Sequence, residues 1–441
     1  MKALRPSYKA TLLLICLLFL MWGLAMNLMN SLNTSVAYYL NLDGTNAALM
    51  QLFYYLAYAA AAIPAALISH RFGFKGGIIS SLAIFAIGCL LAIPAANTAR
   101  TYTSIGFCIF LLALFVMSLG SAGLEANCNP YVTRLGDAKS EAGRINLANA
   151  FNGLGSILGP ILLSFFVTAV ASDPYQATHA AGQFLEDKLQ FLGSLKVIYG
   201  GMAGTLVLLA IVFLCIKLPH LPCEIDATPE ERRARTSFIA PFRHPHYVLG
   251  IFALFLYCGI QLSGMTFVGW FAQEEVGVSL GASAFLVGIS SLALTAGRFV
   301  SVLLLRRMSE YKLLSGFMCC AALFFALACI LGLAGLGMIG LTCYICAFFF
   351  CSVAYATIFS IALRGLHKSE LKIAGALLVT CMLGGGVFTV VLSVFASLTN
   401  YAIVLLAYVP ALLYISWYAK RGSKIGVAQE DIDPELVVDP L

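Results

Sequence analysis

The sequence predicts an all-α polytopic membrane protein with twelve transmembrane helices in two six-helix halves. Of its 441 residues, 61% are hydrophobic and only 10% are charged, whereas about a quarter of the residues of a soluble protein are charged. Apolar runs of about twenty residues, the length that crosses a bilayer, recur along the chain. The net charge of +6 does not indicate nucleic-acid binding, because the basic residues lie in short loops between these runs.

Twelve apolar runs are long enough to be membrane spans. The first six are residues 11–37, 45–69, 76–96, 104–133, 145–171 and 191–216, and the last six are residues 248–273, 282–305, 313–334, 337–363, 375–398 and 402–417. The first run is too long for a cleavable signal peptide, and no small-residue cleavage site follows it. We therefore expect it to remain as the first span.

The basic residues indicate the orientation in the membrane. The N-terminus, the even-numbered connections and the C-terminal tail hold 22 of the 26 Lys and Arg residues, whereas the odd-numbered connections hold only Arg100, Lys188 and Lys196. Positively charged loops stay in the cytoplasm. We therefore expect both termini to be cytoplasmic, in a plasma membrane such as the bacterial inner membrane.

The longest polar connection divides six spans from six. It predicts an N-terminal bundle at residues 1–217, a central cytoplasmic loop at 218–247, a C-terminal bundle at 248–419 and a cytoplasmic tail at 420–441. The basic pair that begins at His70 has a counterpart at Arg306, 236 residues later. Arg134 has a counterpart at Arg364, 230 residues later. Two echoes at nearly the same offset favour a duplicated six-span unit, a layout typical of transporters whose halves rock around a central site.

An acidic residue, Glu125, lies inside the fourth span. The next basic residue, Arg134, follows nine residues later, which is about 13 Å of helix and about half the apolar thickness of a bilayer. A carboxylate at that depth is costly in lipid, so it should face a polar cavity. Burial favours its neutral form, which predicts that Glu125 loads and releases a proton. The alternative is a structural Glu125 bonded to amides such as Asn27 or Asn30.

Asparagines in the first and fifth spans provide neutral hydrogen-bonding groups. Asn27 and Asn30 are three residues apart, as are Asn146, Asn149 and Asn152, so each set lies near one helical face. Amides both donate and accept, as the recognition of a polar, uncharged ligand requires. Hydrogen bonds between helices are the alternative role.

The second half offers further candidates. Tyr257 and Gln261 are four residues apart on one helical face and are candidate substrate ligands. Trp270, Tyr355 and Phe359 could lay a ring on the apolar face of a bound ligand, although packing is the commoner role of an aromatic residue.

Arg298 lies inside the eighth span, where it either contacts a gate or reaches back to the interface. The sequence shows no metal-ligand spacing, no nucleophile–His pair and no nucleotide fingerprint, so we predict neither an enzyme nor a metal site.

Several strings resemble a known family. The loop AALISHRFGFK keeps an Arg71-x-Gly73-x-Lys75 frame, and WGLAMN, EANCNP, RINLANAFN, YCGIQ, GRF and TIFSIALRGL are spread over both halves. They resemble the major facilitator superfamily and, within it, the fucose–galactose–glucose:proton symporters. In the loop signature His70 stands at a usually acidic position, and the resemblance implies gating or structural roles for Arg71, Gly73 and Lys75.

The resemblance implies roles for individual residues. Glu125 stands at the position of the acid that takes part in proton coupling, and Asn149 and Asn152 stand at positions that contribute to sugar binding. A second acid is expected in the first span, where this sequence has Asn30. Because an amide carries no proton, coupling by two acids is not available at these positions.

We therefore expect a secondary active transporter that imports a monosaccharide by proton symport with alternating access. Sodium-coupled or facilitated sugar transport, and a membrane sugar sensor that does not transport, are the alternatives. The expected partners are a small sugar and the membrane lipids. The protein is expected to be a monomer, and the coupling ion takes the place of a cofactor.

Overall fold

The computed structural model describes residues 8–135, 141–170, 181–216, 218, 239–305, 307–366 and 370–427, and these residues are almost entirely helical. In the first half, the described helices are α1 (Tyr8–Leu40), α2 (Gly44–Thr98), α3 (Thr103–Arg134), α4 (Glu141–Val170) and α5 (Ala181–Cys215). Some side chains within these helices, among them those of Arg71, Arg134 and Asn146, lie outside the described set.

The second half begins with α6 (Pro245–Phe271), which continues into a π-helical turn (Ala272–Val276). It goes on with α7 (Leu280–Leu304), α8 (Glu310–Leu333), α9 (Gly337–Cys351), α10 (Ala354–Leu363), α11 (Leu371–Thr380), α12 (Leu383–Leu398), α13 (Tyr401–Val404) and α14 (Tyr408–Lys420). Helices α9 and α10 together form one span, as do α11 with α12 and α13 with α14.

Within the described residues, eleven stretches are long and apolar enough to cross a membrane. They correspond to all of the predicted spans except residues 45–69. That run forms the first part of α2, in which two helices, one for the second span and one for the third, join at Gly73, where the backbone is not helical. The all-α prediction with twelve spans is confirmed.

Gly73 makes the bend in α2 possible. Its φ of 72° lies in the left-handed region, which glycine adopts at little cost. No heavy atom lies within 4 Å of the position that a Cβ would occupy there. The need for glycine is therefore conformational rather than steric.

Small residues bring the helices of the first half close together. A Cβ at Gly120 of α3 would collide with the backbone of Phe85 in α2, and a Cβ at Gly155 of α4 would collide with the carbonyl of Leu20 in α1. Van der Waals packing of this kind holds helices together in lipid, where the hydrophobic effect does not distinguish neighbours from solvent.

The two halves meet at one end of the bundle. We term the end that carries the turn between α1 and α2 the closed end, and the opposite end, which carries Tyr8, the open end. Along the seam between α4 and α7, Ser164 Oγ donates to the Gly281 carbonyl at 2.9 Å, and Gly153 lies against Thr295 farther along.

The seam opens beyond the contact between Gly153 and Thr295. Asn149 is one helical turn before Gly153 and Arg298 is one turn after Thr295, so both continue the faces that form the seam. Both residues are exposed. We infer that helices α4 and α7 part toward the open end and leave a cleft between the halves.

Candidate functional site

Glu125 lies in α3, facing the second half. The residue is half-buried, and its carboxylate makes no hydrogen bond or ion pair with the residues that the structure describes. Its carboxyl group lies in the neighbourhood of the Tyr54 phenol in α2 and of the Tyr355 phenol in α10. Because α3 and α10 belong to different halves, the carboxylate lies near the boundary between them.

Asn27 and Asn30 are buried on α1, with 9% and 1% of their surface exposed. Asn27 Nδ2 donates to the Gly23 carbonyl at 3.1 Å, and its Oδ1 accepts from Ser291 Oγ in α7 at 3.4 Å. Asn30 Oδ1 accepts from the Tyr55 hydroxyl at 3.3 Å. Neither amide bonds Glu125 in this arrangement.

The Nδ2 group of Asn30 is buried and has no hydrogen-bond partner among the described residues. A buried donor without a partner costs about 1–3 kcal/mol. Such a cost is expected where a ligand supplies the missing acceptor, so Asn30 Nδ2 can donate to a bound polar molecule.

The asparagines of α4 have different environments. Asn152 is half-buried, and its Nδ2 donates to the Phe19 carbonyl of α1 at 3.1 Å. Asn149 is exposed on the face of α4 that turns toward the cleft. Asn152 thus links two helices of the first half, whereas Asn149 leaves its amide free for the cleft.

Gln261 and Tyr257 of α6 also differ. Gln261 is half-buried, and its amide makes no hydrogen bond with the described residues. Tyr257 is fully buried, and its hydroxyl donates to the Cys351 carbonyl of α9 at 2.7 Å. The structure therefore favours packing for Tyr257, because its hydroxyl is already used, and leaves Gln261 as the candidate ligand of the pair.

Two aromatic residues of α10 lie on the side of the second half nearest Glu125. Tyr355 and Phe359 are half-buried, and their rings stack with centroids 6.1 Å apart. Arg298 of α7 is exposed and forms no ion pair with a described residue, although its charge acts on Tyr257. A charged guanidinium and two rings thus belong to the same part of the second half.

The loop signature has a structural part. Lys75 Nζ donates to the carbonyls of Leu214 and Ile216 at 3.1 and 2.8 Å, which satisfies carbonyls at the C-terminal end of α5. Gly73 forms the bend in α2. The side chain of Arg71 lies outside the described residues, so its predicted role stays a prediction.

Sequence reasoning missed a polar network at the closed end. Asn33 Oδ1 accepts from Trp270 Nε1 at 2.8 Å, and its Nδ2 donates to Gln51 Oε1 at 3.0 Å. Gln51 Nε2 in turn donates to Thr266 Oγ1 at 3.0 Å. Asn33 extends the three-residue spacing of Asn27 and Asn30 along α1, and this periodicity was the signal that could have revealed it.

Taken together, both halves contribute to the centre of the molecule. Among the candidate residues, those with unused hydrogen-bonding capacity include Glu125 at its carboxylate, Asn30 at Nδ2, and Gln261 and Asn149 at their amides. Such a set can bind a polar, uncharged molecule and can take up or release one proton at the carboxylate.

The comparison with known families agrees with this arrangement. The model of the Major Facilitator Superfamily matches residues 12–390. The chain belongs to the Major Facilitator Superfamily. Its members are transporters rather than enzymes.

Curated relatives indicate which transporters within the superfamily this chain is similar to. The chain is 30% identical to the L-fucose-proton symporter of Haemophilus influenzae over 397 residues, covering 87% of this chain and 88% of the relative. It is 28% identical to the glucose/galactose transporter of Brucella abortus over 426 residues, covering 95% and 96% of the two chains. The predicted resemblance to fucose, galactose and glucose permeases is confirmed.

A solved structure shares the fold. The Escherichia coli fucose:proton symporter, described in the outward conformation, superimposes with a TM-score of 0.68 at 26% identity. The match covers 95% of this chain and all of that one. The fold of this chain is therefore that of a major facilitator transporter.

Proposed function

We propose that this protein imports a monosaccharide by proton symport with alternating access. The relatives described above are an L-fucose-proton symporter and a glucose/galactose transporter, and the fold is that of a transporter with two halves. The site holds neutral amides and stacked rings, which suit a sugar. It also holds one acid, which suits a proton.

The observation that carries the proposal is the environment of Glu125. The carboxylate has no hydrogen bond or ion pair with the described residues, yet it lies within electrostatic reach of Tyr355 in the other half. Acids in membrane spans are costly and mark ion pathways. A carboxylate that is unpaired in one conformation is free to exchange its proton with the cleft.

The proposed sugar contacts come from both halves. Asn30 Nδ2 and the Gln261 amide offer hydrogen bonds, while Asn27, Asn149 and Asn152 lie on the neighbouring faces of α1 and α4. Contacts from both halves let one ligand stabilise the conformation in which the halves close around it.

The proposed conformational state follows from the end at which the seam between α4 and α7 opens and from the side of the membrane on which the basic loops are predicted to lie. The predicted cytoplasmic side is the side of the open end, so this conformation is the inward-open one. Residues 1–217 and 248–419 would rock against each other, with 218–247 as the cytoplasmic connection and 420–441 as the tail. We propose that the protein works in the bacterial inner membrane as a monomer surrounded by lipid.

The proposal is tested with purified protein in proteoliposomes. Radiolabelled L-fucose, D-galactose and D-glucose are offered in counterflow, which needs binding and alternation but no net proton movement. The same vesicles are then tested for accumulation driven by an imposed pH gradient. We expect Glu125→Gln to keep counterflow and to lose gradient-driven accumulation by about tenfold or more, because the amide cannot carry the coupled proton.

Glu186→Gln is the matched control. Glu186 lies exposed on α5, so the same chemical change there should leave both activities unaltered. Wild-type vesicles that accumulate sugar equally with and without the pH gradient would contradict proton symport.

A second candidate function rests on Asn30. Since an amide replaces the expected second acid, uncoupled or sodium-coupled transport is the alternative mechanism. It predicts accumulation that follows a sodium gradient or no gradient at all. A sensor would bind sugar in the same preparation and show no counterflow.

A further inference from the structure

Asn33 is the most fully bonded polar side chain of the first span. It is 1% exposed. Its Nδ2 donates to the Ala47 carbonyl at 2.8 Å and to Gln51 Oε1 at 3.0 Å, and its Oδ1 accepts from Trp270 Nε1 at 2.8 Å. Both donor hydrogens are used and the oxygen is occupied, so Asn33 has little capacity left for a ligand.

The network reaches the second half through two bonds. Trp270 donates to Asn33, and Gln51, which is fully buried, donates to Thr266 Oγ1 at 3.0 Å. The Trp270 ring also stacks on Tyr401 with centroids 5.2 Å apart and planes 15° from parallel. We term Asn33, Gln51, Thr266 and Trp270 the latch.

The latch contains the shortest side-chain hydrogen bond between the halves among the described residues, from Trp270 to Asn33, and only the Ser164–Gly281 bond of 2.9 Å on the seam is shorter than its second crossing bond. Thr34 and Ser283 are 3.5 Å apart, and Ser291 donates to Asn27 at 3.4 Å. The two latch bonds that cross the boundary measure 2.8 and 3.0 Å. Separation of the halves at the closed end must break both, because their partners lie on α1 and α2 on one side and on α6 on the other.

Asn33 also stands in register with the candidate sugar site. Asn30, with its unused donor, precedes it by three residues on the same rigid helix and near the same face. A shift of α1 that brings Asn30 to a ligand therefore also moves Asn33 relative to Trp270. Through this connection, a ligand bound at the candidate sugar site can shift the equilibrium between the closed and open states of the closed end.

We propose that Asn33 is a positioning residue of the transport cycle. Through Gln51 and Trp270 it holds the two halves together at the closed end, and it does not contact the sugar. The inference rests on the alternating access proposed above. Removal of the Asn33 amide deletes one bond across the boundary and frees Gln51. It should shift the equilibrium toward the state open at this end by about tenfold.

Trp270 itself is a natural reporter. The chain has three Trp residues, so replacement of Trp22 and Trp417 by Phe leaves Trp270 as the sole indole. In this background, iodide quenching of the purified protein should be several-fold stronger in Asn33→Val than in the parent, because the indole becomes accessible when the end opens.

A second readout separates gating from local loosening. Asn149→Cys places a thiol on the cleft face at the open end, and its labelling by a membrane-impermeant maleimide is followed by peptide mass spectrometry. Alternating access requires one end to close as the other opens. Labelling should therefore fall in Asn33→Val, an effect that a packing defect at the closed end does not produce.

Asn97→Val is the matched control. Asn97 accepts from Lys196 Nζ at 3.0 Å at the same end of the bundle, within the first half. The same substitution there should change neither quenching nor labelling. If Asn33→Val fails to fold, Thr266→Val, which is nearly isosteric and removes the other crossing bond, should move both readouts in the same directions.

The outcomes distinguish the two proposals. Stronger quenching together with weaker labelling supports the latch. Unchanged quenching, or stronger quenching with unchanged labelling, overturns it. Neither readout uses sugar, so loss of counterflow in the parent with every sugar tested would contradict the proposed function separately.

Discussion

Asn30 and Asn33 are the same residue type on the same helix, one turn apart, yet their surroundings are opposite. Each is 1% exposed. Asn33 uses both donors and its acceptor on protein groups, whereas Asn30 accepts one bond and leaves Nδ2 without a partner among the described residues. A saturated buried amide has little capacity left for a ligand, whereas an unsaturated one can still donate to a ligand. The contrast supports the proposed division into latch and sugar site.

Asn30→Leu should have the largest effect on this contrast. It removes the free donor and the acceptor of Tyr55, and we expect the half-saturating sugar concentration in counterflow to rise about 10- to 100-fold. Asn33→Val is the comparison variant and should change that concentration far less, because its amide faces protein. Equal losses of sugar affinity in the two variants would contradict the division into latch and sugar site.

Gln261 and Tyr257 extend the same contrast to α6, with a smaller effect. Gln261→Leu should weaken sugar binding by about tenfold, because its amide has no other partner among the described residues. Tyr257→Phe should change binding less than about twofold and lower the thermal unfolding midpoint, because the Cys351 carbonyl loses its donor. Binding by isothermal titration and unfolding of the detergent-purified protein measure the two effects. Weaker sugar binding by Tyr257→Phe than by Gln261→Leu would instead indicate that Tyr257 contacts the sugar.

The fold was predictable because each span can be recognised from its own stretch of sequence. A run of about twenty apolar residues identifies a crossing helix without any knowledge of its neighbours, and basic residues mark the loops. The backbone conformation of Gly73, which separates the second span from the third, was not foreseen. Glycine in a loop signature indicates a special backbone conformation but not which one.

The site was predictable only in part. A carboxylate at Glu125 stands out by its cost in lipid, and the structure places it near the boundary of the halves. Helical spacing grouped Tyr257 with Gln261 and Asn149 with Asn152, but it does not tell which member has a protein partner. Asn33 and Trp270 are 237 residues apart in the chain, so no local pattern joins them.

The proposed mechanism has sugar and proton cross the membrane together, with Glu125 as the residue that carries the proton. The most direct test follows the external pH of lightly buffered proteoliposomes, with no imposed gradient, when a transported sugar is added. We expect the medium to become more alkaline as sugar enters, and we expect this signal to be absent in Glu125→Gln but retained in Glu186→Gln. Sugar uptake by the wild type without any change in external pH would contradict the account.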